Sequence, residues 1–557
     1  MSNKQNDKSI AKGIVVQGSI LAIAGLIVRA IGLMRRIPLQ NIIGDAGNGF
    51  YSAAYEVYSI ILLLSSYSLP LAVSRLVAAR VEKGQYRNAN KIFKGALCFA
   101  LISGGLACLF VFIFADFLAG TVMMQPKSAV AMRVLAPTLL IVAIMGVFRG
   151  YFQGLGTMTH TAISQIVEQI VLVAVSLVGA YILFNVGSKY GNVMMDFDYA
   201  PSLGAAGATI GCGVGALFGL LYLLFIYFVN RNSMRFKCIN DSTKKQENLV
   251  VILRLILLTI IPVILSTVVY NISNVIDQSV YNHYMESTGG GSIMTINWGV
   301  YSGKYKVLVN LPIALANAMC SAIVPSLAAS ISRNDHVHAR MKMATAIRVT
   351  MIVTIPSAVG LAVLGKPIVD MLFSGEIDLA AKMLLFGSLS IIFYALSTLG
   401  NGILQGIGKL YIPVINSCIS LVVHLLSLFV MLYFMKCDIF AVVLSNLIFS
   451  VVMCVLNHYA IYKVIGYRQE IKRTFIVPII ASLIMGLITF GSYKLFALFM
   501  KTSIACILSI VIAIVAYVIL LILLKGLKKS DYQMIPGGPR IYSLLCKLGI
   551  YHNKRER

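Results

Sequence analysis

The dominant feature of the chain is a succession of apolar stretches long enough to cross a lipid bilayer. A bilayer core calls for about 20 consecutive apolar residues in a helix. Read with a window of about 19 residues, the sequence presents roughly fourteen such spans. They lie near 13–38, 51–73, 94–118, 133–153, 160–184, 204–229, 249–276, 298–325, 345–371, 382–405, 411–435, 439–461, 474–498 and 503–525. Lipid offers no hydrogen bonds to a bare backbone, so spans of this length must be helices. The expected fold is an all-α polytopic membrane protein of about 14 transmembrane helices. Composition points the same way. Of 557 residues, 59% are hydrophobic and only 12% charged, about half the charge of an ordinary soluble chain. That excludes soluble enzymes, nucleic-acid readers and disordered proteins. The first span is too long and too poorly flanked for a cleaved signal peptide, so it is expected to persist as a helix. The ten cysteines are scattered through apolar runs without a CxxC pair and read as small fillers, with no metal site.

A net charge of +26 on such a chain orients helices and calls for no nucleic-acid partner. Basic residues crowd alternate connections: Arg75, Arg80, Lys83 and Arg87; then Arg231, Arg235, Lys237, Lys244 and Lys245; then Arg333, Arg340 and Lys342; then Lys463, Arg468, Lys472 and Arg473. The opposite connections carry Asp116, Asp196, Asp198, Asp277, Glu286, Glu376 and Asp438. By the positive-inside rule both termini are expected to be cytoplasmic, with an even number of crossings.

Two stretches about 250 residues apart echo each other. Gly150-Tyr151-Phe152-Gln153-Gly154-Leu155-Gly156 answers Gly402-Ile403-Leu404-Gln405-Gly406-Ile407-Gly408. Upstream, Leu69-Pro70 and Leu311-Pro312 sit in corresponding helices, each followed by a basic stretch. Parallel repeats of this kind imply two six-helix lobes about an axis along the membrane normal, with a pathway between them. The expected organisation is an N-terminal lobe over 1–230, a basic linker over 231–248 and a C-terminal lobe over 249–462. An additional helix pair over 463–525 and a basic tail over 526–557 complete it.

A charge at the bilayer centre costs several kcal/mol, so each intramembrane ionisable residue asks for a reason. The first span carries Arg29, Arg35 and Arg36, the second Glu56, the seventh ends at Asp277, and the eighth carries Lys304 and Lys306. Arg29 lies about 24 Å of helix from Gly13, too deep for easy snorkelling. Arg29 and Arg36 are seven residues apart and share a face, from which Arg35 is turned. For Arg35 and Arg36 snorkelling competes with function, and for Lys304 and Lys306 so does anchoring at the interface. These seven residues form the candidate substrate site. Its balance is cationic, which suits an anionic cargo, and arginine grips phosphate oxygens bidentately. Arg149 and Glu168 are expected to pair with each other.

The run Val28-Arg29-Ala30-Ile31-Gly32-Leu33-Met34-Arg35 with Ile43-Gly44, the Leu311-Pro312 and Val324-Pro325-Ser326-Leu327-Ala328 stretches, and the QGxG hairpins resemble the lipid II flippase family (MurJ/SpoVB). That family belongs to the multidrug/oligosaccharidyl-lipid/polysaccharide exporter superfamily. The resemblance implies two six-helix lobes, two further helices extending a groove for a lipid tail, and use of Arg29 and Arg35 for a pyrophosphate-bearing substrate. The second-helix arginine of better-known members is absent, the chain reading Tyr58-Ser59-Ile60-Ile61, and a helix 8 arginine is replaced at best by Lys304 or Lys306. The function implied is a flippase moving an undecaprenyl-pyrophosphate-linked peptidoglycan precursor (lipid II) from inner to outer leaflet by alternating access. Its partners would be that lipid-linked glycan, membrane lipids and the cell-wall synthesis machinery. Another polyprenyl-linked polysaccharide unit, or a cation-coupled multidrug exporter of the same fold, is the alternative. There is no GxxxxGK[ST] loop for a nucleotide, so no cofactor is expected and membrane potential or an ion gradient is left to drive transport. Asp196-Phe197-Asp198 forms a DxD that a glycosyltransferase would use to hold a metal, but no second catalytic cluster accompanies it, and the chain is read as a non-enzyme.

Overall fold

The structure, a computed structural model, describes residues 2–241 and 247–526, apart from 67, 334, 410 and 525, together with residue 543. Lys244 and Lys245 of the linker and nearly all of the tail lie outside the described residues. All regular structure described is helical. Packing divides the chain into two compact units, Met1–Gly303 and Lys304–Arg557.

The first unit runs α1 (Ser2–Ser65), α2 (Leu69–Val81), α3 (Tyr86–Ile113), the short α4 (Ala115–Phe117), α5 (Ala129–Gly154), α6 (Thr159–Met194), α7 (Tyr199–Ile239), α8 (Leu249–Ser287) and α9 (Gly291–Val300). Its helices approach closely where side chains vanish. A Cβ on Gly179 of α6 would meet the carbonyl of Gly207 on α7, and the reverse holds too, the small-residue packing expected of helices in lipid. The second unit runs α10 (Lys306–Ser332), α11 (His336–Leu372), α12 (Ile377–Gly387), α13 (Ser390–Gly406), α14 (Tyr411–Phe429), α15 (Ile439–Ile465), α16 (Val477–Ala497) and α17 (Thr502–Leu523). Met343, Ile347, Met351, Leu399 and Ile403 form its core. The pair α16–α17 lies against α11, where the Tyr517 hydroxyl donates to the Ile352 carbonyl at 2.8 Å. Between α10, α11, α16 and α17 is a cavity of about 630 Å³ lined by Leu308, Pro312, Pro356, Gly360, Met485 and Tyr517.

Leu101, Leu106 and Phe112 on α3, Ile182 on α6, Phe225 on α7, Leu487 on α16 and Val511 on α17 are all exposed. Continuous apolar faces of that kind are tolerable only against lipid.

Ten described helices have the length and hydropathy of a membrane crossing, or eleven if α12 and α13, bent by 54°, make one span. About fourteen were expected. Part of the difference lies at the start of the chain. The spans 13–38 and 51–73 are two helices that meet at a kink at Gly44, and the two are counted together as α1. The only irregular backbone inside α1 is at Gly44, with φ 70° and ψ −177°, a conformation that costs glycine little and other residues more. Leu69-Pro70 does not sit within the second helix. The helix stops at Ser65, and Pro70 stands in the first turn of α2, where its missing N–H would have had no partner. The eighth span carries a π-turn over Tyr301–Tyr305.

The two QGxG stretches close α5 and α13 with the same backbone. Gly156 and Gly408 both adopt φ +84°. Leu155 N–H donates to Tyr151 O, Gly156 to Gln153 and Thr157 to Phe152, and the same steps recur from Ile407 to Ile403, Gly408 to Gln405 and Lys409 to Leu404.

Candidate substrate site on α1

Helical periodicity separates the three arginines of α1. Arg29 and Arg36, seven residues apart, are both exposed, whereas Arg35, about 100° round the helix, is 8% exposed. The Arg35 guanidinium donates to Ser176 Oγ on α6 at 3.0 Å and to the Tyr51 hydroxyl at 3.1 Å. Its Cζ stands 5.8 Å from the Tyr51 ring centroid, and its Nε is buried without a partner. Ser176 Oγ in turn donates to the Ala208 carbonyl of α7 at 2.6 Å, so Arg35 ties three helices together. No carboxylate pairs with it among the described residues.

Beyond Gly44 the same helix carries a row of tyrosines. Tyr51, Tyr55 and Tyr58 stand at i, i+4 and i+7 and therefore on one face. Tyr51 and Tyr55 stack with centroids 5.7 Å apart and planes 14° apart, and Tyr55 and Tyr58 follow at 5.8 Å. Reading the sequence for charges passed over these rings, although their spacing is plain in it. Glu56, beside Tyr55 in the chain, is half-buried. Asp277, on α8, is fully buried.

Between the arginines and the tyrosines, α1 crosses α9 at minimal separation. A Cβ on Gly49 would meet the Thr295 carbonyl, one on Gly299 the Asp45 carbonyl, and one on Gly303 the side chains of Gln40 and Asn48. Asn48 Nδ2 donates to Gly299 O at 3.1 Å and to Ser302 Oγ at 2.8 Å. Trp298 Nε1 donates to Ser52 Oγ at 3.1 Å, and Gln40 Nε2 to Asp45 Oδ1 at 2.6 Å.

Lys304 and Lys306 belong to the second unit. Lys304, in the π-turn, is fully buried and donates to the Glu376 carbonyl at 3.1 Å. Lys306, at the start of α10, is half-buried.

Two other charged motifs find partners. Arg149 pairs with Glu168 at 2.6 Å and donates to Ser164 Oγ at 2.9 Å, as the sequence reading expected. With side chains only 13% and 23% exposed, removal of one partner leaves a poorly hydrated charge. Arg149→Met is therefore expected to destabilise the protein, by less than the about 3–5 kcal/mol of a fully buried pair. Arg149→Met with Glu168→Leu should recover most of that loss. Thermal unfolding in detergent checks this, and a double variant no more stable than the single one would remove the pair from the account. The DxD is likewise engaged: Lys127 bonds Asp196 and reaches Asp198 Oδ2 at 3.4 Å. That hydrogen bond holds the Asp196 carboxyl below its ordinary pKa. An ammonium thus sits where a metal would, and no group of three His, Cys, Asp or Glu side chains gathers for one among the described residues.

Comparison with known proteins places this geometry in a family. Residues 14–331 match the family described as Polysaccharide biosynthesis protein, and residues 262–430 match MatE. The chain is 25% identical over 536 residues to Stage V sporulation protein B of Bacillus subtilis (strain 168), covering 95% of this chain and 98% of that one. It is 25% identical over 483 residues to Lipid II flippase MurJ of the same organism, covering 84% and 86%. Among solved structures it is similar to Lipid II flippase MurJ in an inward closed conformation, with a TM-score of 0.64 at 16% identity over 90% of this chain and 97% of that one. An inward-facing multidrug resistance MATE family transporter follows with a TM-score of 0.59 at 16% identity, over 77% and 98%. The structural likenesses show the fold, and the family match spans more than half of the sequence. The chain belongs to the polysaccharide biosynthesis protein family.

Proposed function

We propose that the chain is a flippase for a polyprenyl-pyrophosphate-linked glycan, with the peptidoglycan precursor lipid II as its cargo. The observation that carries the reading is the cationic run on α1: two exposed guanidiniums, Arg29 and Arg36, beside a third, Arg35, held by Ser176 and Tyr51. A diphosphate entering the membrane needs such forks, because each arginine can meet two oxygens at once. Lys306 and the buried Lys304 add positive charge at the head of α10. Glu56 and Asp277 are the acids of the set, and carboxylates of this kind accept hydrogen bonds from hydroxyl and amide groups of a glycan. The apolar cavity between α10, α11, α16 and α17 has the chemistry of a polyprenyl tail site. The whole-length similarity to a lipid II flippase and to a sporulation protein supports the same assignment.

In this reading lobes over 1–230 and 249–462 alternate access, both termini are cytoplasmic, and substrate passes to cell-wall synthesis enzymes on the outer leaflet. Membrane potential supplies about 2.3 kcal/mol per charge per 100 mV. A drug exporter of this fold needs unpaired carboxylates for organic cations, and the arginines of α1 disfavour it.

The test is complementation of a conditional lipid II flippase mutant, with exposure of the precursor on the outer leaflet as readout. Rescue with wild type, and its loss with Arg29→Ala and Arg36→Ala in protein that still inserts, is the expected result. Failure of the wild type to expose lipid II, with export of another polyprenyl-linked glycan instead, would reassign the cargo.

A further inference from the structure

We infer that Tyr55 is a stacking platform for the sugar ring next to the pyrophosphate, with Tyr51 and Tyr58 bracing it. The inference rests on the flippase reading and names the part of the site that recognises the glycan. A pyranose has an apolar face of C–H groups ringed by hydroxyls, and an aromatic ring with a polar edge complements both.

The three tyrosines differ in their surroundings. Tyr51 is 9% exposed and fixed by the Arg35 hydrogen bond. Tyr58 is 5% exposed and packs with Ala53, Val57 and Leu135. Tyr55, between them, is 36% exposed, although deep among neighbouring side chains. Its ring is held on one side by the Tyr51 stack at 5.7 Å, and its hydroxyl has no hydrogen-bond partner among the described residues. A stripe of rings at this spacing is ordinarily core. Core packing explains Tyr51 and Tyr58, but it leaves the partial exposure of Tyr55 and its unbonded hydroxyl without a reason.

Position supplies the rest. Arg35 touches Tyr51, and Arg36 lies within electrostatic reach of both Tyr51 and Tyr55. Phosphate-binding forks and the open ring are therefore neighbours in the order in which a diphosphate and its first sugar are joined. Glu56 follows Tyr55 directly. A rigid aromatic with few rotatable bonds binds at small entropic cost, and bracing by two further rings reduces it again.

The experiment compares two probes on the full-length protein in nanodiscs: undecaprenyl pyrophosphate, and the same lipid carrying an N-acetylated disaccharide. Tyr55→Leu keeps an apolar side chain of moderate size and removes the ring. It should weaken binding of the glycosylated probe about tenfold and leave the bare pyrophosphate unchanged. Tyr55→Phe, which keeps the ring, should stay within about threefold of wild type for both. Equal affinity of Tyr55→Leu and wild type for the glycosylated lipid would overturn the inference, as would an equal loss for both probes, which marks a structural role. Wild type that binds neither lipid would instead sink the flippase reading itself.

Discussion

Gly299→Ala is expected to force α1 and α9 apart and to abolish transport. The new methyl would enter the space of the Asp45 carbonyl, which belongs to a helix backbone and has no rotamer by which to withdraw. Overpacking against side chains costs about 1–3 kcal/mol; against backbone the helices themselves must move, which places this substitution at the upper end or beyond. About 3 kcal/mol is a change of more than a hundredfold in an equilibrium between joined and parted states. The chain carries its own reporter, because it has one tryptophan, Trp298, which is fully buried and bonded to Ser52 across the contact. In Gly299→Ala its emission should shift to longer wavelength and become open to an aqueous quencher. Gly105→Ala, with nothing within 4 Å of the added methyl, is the matched control and should behave as wild type. A Gly299→Ala protein with unaltered emission and quenching would show that the contact yields more easily than its geometry implies.

The second large effect separates function from stability at Arg35. A buried guanidinium without a carboxylate partner is desolvated without full compensation, and replacing such a charge by a well-packed apolar group is often neutral or stabilising. Arg35→Met should therefore unfold at the same temperature as wild type or higher, while transport falls by more than tenfold. Arg35→Lys keeps the charge but, as a single ammonium on a flexible stem, does not reproduce the fork that spans Ser176 and Tyr51, so it should restore activity only in part. Paired measurements of melting and flipping on the same preparation decide the matter. A melting temperature that drops with activity would make Arg35 a structural tie between α1, α6 and α7.

Much of this molecule is legible in its sequence, because the properties concerned are local. Hydrophobic runs of bilayer length require helices wherever they occur, since unsatisfied backbone is intolerable in lipid. The QGxG stretches announce two like turns, because the glycines at 156 and 408 take a positive φ of +84° that other residues adopt at a cost. The pairing of Arg149 with Glu168 follows from the need of each charge for the other. Even the division of the α1 arginines into a pair and an outlier is a matter of 3.6 residues per turn.

Periodicity states which residues share a face and is silent on what that face meets. The sequence singled out Arg29 by its depth, whereas the packing of Ser176 and Tyr51 buries Arg35 and leaves Arg29 exposed. The kink at Gly44 that parts the first two spans and the π-turn within the eighth escape a window average, which registers apolar length and not dihedral angles. Asn48 and Gly299, or Ser52 and Trp298, are some 250 residues apart, and no local rule marks them as partners. The open ring of Tyr55 has the same origin. By composition and spacing, the sequence alone determined a strongly basic, all-helical membrane protein. Which arginine is buried, which ring is open and which glycines touch were decided by contacts between distant segments, whose free energy exists only once the chain has folded.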